Sequence, residues 1–429
     1  MSTVTVTADA VEVRLTAVEK AAALRADLRV PRSAVRSAEI VDDALGAARG
    51  VRTASACPAG ASSAPGTAGP GGSSSTCAPA SRRCGSTSTG TATPLCCWAW
   101  TTRTPWSRPR RRLKRIDTMR DIDLVFASGG ERLAGTLTLP GGDGPFPAVL
   151  LVPGSGPVDR DSDHRRLPLG VTRQLAEAFA AAGIASLRYD KRGVGASTGG
   201  FLAAGFRDNM DDAGAALAAL RERPEIDPGR VALTGHSEGA LIATYLAAHD
   251  PAVAAVVLLA GTARSGAETL RWQAARLAPS MPAFVRAVLR LTRTDLVAKV
   301  TKNHERIRRT TTDVARIGGV RVNARWTREF LDYDPAEDLA RIQAPVLAVT
   351  GDKDLQVNPE DLARMAELVP GPIETHVIPD LSHILRRQPG PPLLRAYRRE
   401  AREPIDAQVR ELVTGWLAAQ LSSPARDAV

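Results

Sequence analysis

Apolar residues in the last two thirds of this chain fall into short continuous runs that alternate with helix-spaced stripes. Pro147-Ala-Val-Leu-Leu-Val, Ile184-Ala-Ser-Leu-Arg-Tyr-Asp and Ala252-Val-Ala-Ala-Val-Val-Leu-Leu have the length and composition of strands buried on both faces. Between them, Gln174-Leu-Ala-Glu-Ala-Phe-Ala-Ala-Ala-Gly reads as a helix stopped by Gly183, and residues 211–223 read as another. Asp123-Leu-Val-Phe-Ala-Ser and Arg132-Leu-Ala-Gly-Thr-Leu-Thr-Leu flank Gly129-Gly130 as a hairpin. Arg230-Val-Ala-Leu-Thr predicts a strand, and Ala240-Leu-Ile-Ala-Thr-Tyr-Leu-Ala-Ala predicts a helix soon after it. Pro345-Val-Leu-Ala-Val-Thr and Thr375-His-Val-Ile-Pro supply two late strands, and residues 405–421 a closing helix. Such alternation implies an α/β domain over 119–429, with a mostly parallel sheet and helices on both faces.

The N-terminal quarter follows different rules. Val4-Thr-Val-Thr and Val11-Glu-Val-Arg-Leu alternate as strands do, Thr16 can cap a short helix Ala17-Val-Glu-Lys-Ala-Ala-Ala-Leu-Arg, and an extended stretch follows at Leu28-Arg-Val-Pro. On these residues 1–50 form a small β-rich fragment, which resembles the start of a pleckstrin-homology-like protein of actinobacteria. Residues 51–118 lose every periodicity. Ser, Thr, Ala, Gly, Pro and Arg dominate them, which predicts a disordered, low-complexity linker. The composition also resembles G+C-rich DNA translated in a shifted frame, fusing one protein's front to a second protein that begins near Met119. An intact reading frame across codons 50–118 would exclude that origin.

Composition changes the picture only once it is located. All five cysteines (Cys57, Cys77, Cys84, Cys96, Cys97) lie between residues 51 and 116, at spacings that fit no zinc site. The same segment holds ten Lys/Arg and no Asp or Glu, so the net charge of +10 is no sign of nucleic-acid binding. No run approaches 18 apolar residues, so no membrane span is expected. The first residues lack the basic-then-apolar pattern of a secretion signal, and a cytoplasmic location is expected.

Gly235-His236-Ser237-Glu238-Gly239 joins the strand at 230–234 to the helix at 240–248. A G-x-S-x-G between strand and helix is a nucleophile elbow, its glycines admitting a turn too tight for side chains. The following helix would direct free N–H groups and a positive dipole end at the serine. A serine hydroxyl needs a base, and the base needs an orienting acid. Of six histidines, only His376 and His383 follow the last acid candidate. His376 lies inside a strand, whereas His383 lies in the turn just past that strand's end, where catalytic groups gather on open α/β sheets. Asp352 and Asp354, in Gly351-Asp-Lys-Asp-Leu, could both supply the acid.

On these motifs residues 120–422 resemble an α/β-hydrolase-fold serine esterase. Gly154-Ser-Gly-Pro-Val-Asp-Arg-Asp and Arg188-Tyr-Asp-Lys-Arg-Gly-Val-Gly-Ala-Ser resemble loops of its bacterial dienelactone-hydrolase-like or lysophospholipase-like branch. The resemblance implies the acid in a strand-end G-x-x-D loop, which selects Asp354 and keeps Asp352 as the fallback. It implies oxyanion donors at the backbone N–H of Glu238 and, by position after Pro153, of Ser155. Asp159, Arg160, Asp161, Asp190 and Arg192 are expected to tie the two loops together by charge-assisted hydrogen bonds.

The stretch between Leu259 and Pro345 is too long for a simple connection. Phe284, Val285, Val288, Leu289 and Leu291, then Leu296, Val297 and Val300, recur at helical spacing, so a helical lid is expected at about 263–335. Residues 263–328 carry fifteen Arg/Lys against four acids, a charge that either pairs with the body or attracts anionic acyl donors such as acyl-CoA. The expectation is therefore a serine hydrolase of carboxylic esters working through an acyl-enzyme. Its substrate is a small-molecule ester or thioester, with no cofactor, metal or nucleic acid. The alternatives are an acyl-CoA thioesterase or acyltransferase, then a serine peptidase.

Overall fold

A computed structural model of the chain describes residues 3–6, 10–14, 28–31, 119–281, 286–287, 291 and 295–422. The chain divides into two units, Met1–Thr104 and Pro105–Val429. In the first, strands β1 (Thr3–Val6), β2 (Ala10–Arg14) and β3 (Leu28–Pro31) form an antiparallel sheet in that order, on the three stretches expected to be extended. The helix expected at 17–25 and the linker expected at 51–118 lie outside the described residues.

The second unit is built on an eight-stranded sheet. In chain order its strands are β4 (Arg120–Ser128), β5 (Glu131–Leu139), β6 (Phe146–Val152), β9 (Ala185–Tyr189), β10 (Ile226–His236), β11 (Val256–Leu259), β14 (Val346–Gly351) and β15 (Ile373–Ile378). Their spatial order is β15-β14-β11-β10-β6-β9-β5-β4. The six strands from β15 to β9 are parallel, and the β4–β5 hairpin adds an antiparallel edge. The numbers β7 and β8 belong to a small hairpin, Asp163–His164 with Leu167–Pro168.

Strand alternation sorts the core into two layers. Leu150, Val152, Val231, Leu233, Val256, Leu258, Val346 and Ala348 face one side. There they meet Phe206, Met210 and Leu217 of α2 (Phe206–Arg221) and Leu241 and Ile242 of α3 (Glu238–His249). The residues between them, Val149, Leu151, Ala232, Val257, Leu259, Leu347 and Val349, face the other side. These pack on α1 (Val171–Ala181) and on the C-terminal helix (Ala407–Ser422). Continuous apolar runs thus arise because every central strand is covered twice, and the result is the α/β-hydrolase fold.

Two predicted boundaries are corrected. Helix α2 begins at Phe206 rather than 211, because Asp208 caps it by accepting the Gly205 N–H at 2.8 Å and Phe206 is buried. Strand β11 begins at Val256 rather than 252, because Asp250 draws the preceding residues into a turn, accepting from the N–H groups of Ala252 and Val253.

Between β11 and β14 the chain forms α4 (Gly266–Ser280), α5 (Leu296–Arg308), the hairpin β12 (Val314–Ile317) with β13 (Val320–Asn323), and α6 (Ala324–Asp332). Of the apolar stripe expected there, Leu296, Val297 and Val300 lie half-buried on α5 and Leu291 is exposed. Phe284, Val285, Val288 and Leu289 lie outside the described residues. Among the described residues no helix is long and apolar enough to cross a membrane.

Candidate active site

The loops that leave the carboxyl ends of β6, β9, β10, β14 and β15 converge on one edge of the sheet. Ser237 sits on the turn from β10 into α3 with φ 56° and ψ −117°, a left-handed conformation that costs a non-glycine residue about 1–3 kcal/mol. Hydrogen bonds from Ser237 N to Leu259 O and from Ala240 N to Ser237 O, both 2.9 Å, hold it there. The flanking glycines are required by close approach. A Cβ on Gly235 would collide with the Gly239 carbonyl, and one on Gly239 with the Val152 carbonyl.

His383 lies in the turn after β15, buried, with Nε2 3.0 Å from Ser237 Oγ and Nδ1 2.8 Å from Asp354 Oδ2. Asp354 is also buried, and its Oδ1 accepts the N–H groups of Gln356 at 2.7 Å and Val357 at 2.9 Å. Facing a carboxylate, His383 Nδ1 is the donor, which leaves the Nε2 lone pair to accept the serine proton. The structure therefore brings together the three residues singled out in the sequence. It does not bring in the other two candidates: Asp352 is exposed beside Lys353, and His376 pairs within β15 with Glu374 at 2.6 Å.

Ser155 and Glu238 line a cavity of about 70 Å³ in front of Ser237, with Leu241, Leu270, Trp326 and Phe330 among its other walls. Neither the Ser155 N–H nor the Glu238 N–H meets an acceptor among the described residues. Both are free to serve an incoming oxygen. A larger groove of about 730 Å³, lined by Arg207, Tyr245, His249 and Asp332 among others, contains none of these residues.

Three side chains that the motif reading left without a role, those of His236, Lys191 and Glu238, belong to this site. His236, inside G-H-S-E-G, is buried and its Nε2 donates to the His383 carbonyl oxygen at 2.8 Å. Burial, followed by the neighbouring His383, pushes its pKa down to about 4, so the ring is neutral and Nε2 carries its proton. Lys191 and Glu238 form a buried pair at 3.1 Å, and Glu238 Oε1 also accepts from Asn209 Nδ2 at 2.7 Å and Trp326 Nε1 at 3.3 Å. The motif itself flagged His236 and Glu238 as neighbours of the nucleophile, but nothing near Lys191 or Trp326 in the sequence points to Glu238.

Of the five residues expected to tie the two loops, Arg160, Asp161 and Asp190 do so, whereas Asp159 bonds within its own loop and Arg192 turns elsewhere. Arg160 grips Asp190 through Nε at 3.1 Å and Nη2 at 2.7 Å. Burial pushes the Asp190 carboxyl up, yet the Arg160 side chain and the N–H groups of Ala196 and Arg160 outweigh it and hold it below the usual range. Asp161 takes Arg188 at 2.8 Å, and Asp159 accepts from the Asp161 and Asp163 N–H groups. Arg192 departs from the expectation: it reaches Asp212 of α2 at 2.7 Å rather than the neighbouring loop. Several cations of the 263–328 stretch are paired, Arg264 with Asp361 at 2.7 Å and Arg325 with Asp208 at 3.0 Å. Among the described residues no group of three or more His, Cys, Asp or Glu could hold a metal ion.

Comparison with known proteins places the chain among hydrolases. The family described as "Serine aminopeptidase, S33" matches residues 169–389. The chain is similar to esterase EstD of Thermotoga maritima, 27% identical over 292 residues, which cover 66% of this chain and 65% of EstD. It is also similar to thiohydrolase apmlB of Arthrinium phaeospermum, 34% identical over 116 residues, 26% of this chain and 34% of that protein. The chain thus spans less than two thirds of the length of either curated relative. Among solved structures, Est1E from Butyrivibrio proteoclasticus with ferulic acid bound is 16% identical with a TM-score of 0.48, covering 70% of this chain and 100% of that one.

Proposed function

Because the chain belongs to the serine aminopeptidase S33 family, we propose that it is a serine hydrolase of carboxylic esters working through an acyl-enzyme. Asp354 orients His383, whose Nε2 takes the Ser237 proton as Oγ attacks the acyl carbonyl. The oxyanion then turns toward the Ser155 and Glu238 N–H groups, aligned before the reaction begins. Collapse expels the alcohol, which receives its proton from His383. Water, deprotonated by the same nitrogen, attacks the acyl-enzyme and releases the acid. The observation that carries this reading is the unbroken relay from Asp354 through His383 to a serine held in left-handed backbone, at 2.8 and 3.0 Å. The 263–335 stretch acts as the lid, since Leu270 of α4 and Trp326 and Phe330 of α6 wall the cavity.

Esters come ahead of peptides with a free N-terminus, the substrates that the family's description names. An α-amino group would need a carboxylate open to the cavity, and that of Glu238 is buried, with Oε1 held by Lys191, Asn209 and Trp326 and Oε2 enclosed without a partner. Thioesters form the second reading, favoured by the similarity to a thiohydrolase. The cavity is several-fold smaller than the roughly 300–1,000 Å³ of sites for drug-sized ligands, so short acyl groups fit best.

A fluorophosphonate probe should label wild type and fail to label Ser237→Ala. p-Nitrophenyl acetate or butyrate should turn over at least tenfold faster than octanoate. Paired oxygen and sulfur esters of one acid, with an aminoacyl p-nitroanilide beside them, separate the three substrate classes. Residual labelling or activity in Ser237→Ala would remove the proposal.

A further inference from the structure

Lys191 is the only buried lysine among the described residues, and both of its contacts belong to the oxyanion machinery. Its Nζ donates to the Gly154 carbonyl oxygen at 3.2 Å and to Glu238 Oε1 at 3.1 Å. The side chains of Lys191 and Glu238 are 4% and 2% exposed, so water does not compete for either contact. The Gly154 carbonyl and the Ser155 N–H share one trans peptide unit, so they point in opposite directions. An ammonium that grips the carbonyl from behind therefore turns the Ser155 N–H forward, toward the cavity in front of Ser237. Glu238 supplies the other N–H of the pair, and its side chain is fixed by the same ammonium.

We infer that Lys191 is a positioning residue for the oxyanion hole, aligning both backbone donors at once. This rests on the serine-hydrolase reading above. Cutting the tether frees the Gly154–Ser155 peptide to rotate, and the loss appears where negative charge develops on the acyl oxygen, not where the ground-state ester is bound. Deleting one such donor outright typically costs about 10²–10³ in kcat, so a donor that is loosened but present loses roughly 10–100-fold.

Lys191→Met alone leaves Glu238 as a buried carboxylate without its cation, which destabilises the fold for a separate reason. The deciding variant is Lys191→Met/Glu238→Gln. It removes both charges together while the glutamine can still accept from Asn209 and Trp326. The expected result is a melting temperature close to wild type, kcat on p-nitrophenyl acetate lower by 10–100-fold, and KM within threefold. The Ki of an alkyl trifluoromethyl ketone, whose hemiketal oxyanion occupies the hole, should rise by the same factor as kcat falls. Lys191→Arg, which keeps a cation for Glu238 and donors for both oxygens, should recover most of the loss. A folded double variant with kcat within threefold of wild type would overturn the inference, as would a lost kcat with an unchanged ketone Ki. Ser237→Ala keeps the two levels apart. If it is inactive while the double variant is fast, only the role of Lys191 fails; if it is active, the serine reading itself fails.

Discussion

The buried histidine beside the nucleophile makes the stability of this protein depend on pH in a way that a single substitution can isolate. His236 is held at about 4 by burial and by the nearby His383, whereas an unfolded chain gives histidine its ordinary value of about 6.5. Its folded value is the lower one, so its contribution is fully present above about pH 6.5. That contribution is lost as pH falls toward 4, where the unfolded chain takes up a proton that the folded chain refuses. The whole gap corresponds to about 3 kcal/mol, of which about 2 kcal/mol falls between pH 7 and pH 5. The assay is urea unfolding of wild type and His236→Gln at those two pH values. Glutamine keeps a donor for the His383 carbonyl, and the other titrating groups are common to both proteins and cancel in the difference. Wild type should lose about 2 kcal/mol more than the variant on acidification. Equal losses, within about 0.5 kcal/mol, would refute the claim that His236 is buried neutral.

Two further substitutions probe the site. Asp354→Asn should lower kcat on the order of 10⁴-fold, because the amide cannot hold His383 in the tautomer that accepts the serine proton. Asp352→Asn, at an exposed position two residues away, should stay within threefold of wild type, and steady-state ester hydrolysis compares the two directly. Gly239→Ala should abolish soluble expression or lower the melting temperature by 10 °C or more in a thermal scan, since its methyl would have to displace the backbone of Val152.

What the sequence displayed and what it concealed divide along the range of the forces involved. Strands buried on both faces need apolar residues at every position, so β6, β11 and β14 stand out as apolar runs. The elbow likewise has its two close approaches written into adjacent glycines. His383 is legible because it sits just past a strand end, where the open sheet delivers side chains to one place, whereas position leaves Asp352 and Asp354 level and only the family resemblance selects between them. Lys191 is not legible. It stands in a loop motif crowded with charges, and its partners lie 37 and 47 residues away in sequence. Arg192 is expected against a neighbouring loop for the same reason, whereas the fold supplies Asp212 on a helix instead. The β12–β13 hairpin is a different kind of miss, because Gly318-Gly319 between Val314-Ala-Arg-Ile and Val320-Arg-Val-Asn carries an ordinary local turn signal. The first turn of α2 needed long-range information: Phe206 is buried by rings from the 324–333 stretch, standing 5.6 Å from Phe330 and 5.3 Å from Tyr333 between centroids.

Those same long-range contacts bear on how the site is kept assembled. A serine in left-handed backbone, two unpartnered N–H groups and the unpartnered Oε2 of Glu238 each raise the energy of the folded chain locally. Glu238 is where the compensation concentrates. Its N–H is a donor proposed for the oxyanion, while its Oε1 collects Lys191 from the loop after β9, Asn209 from α2 and Trp326 from α6. Four segments distant in sequence therefore meet at one oxygen directly behind the nucleophile. An elbow anchored in this way need not reorganise when charge develops on the substrate, which is the condition under which fixed donors are worth most.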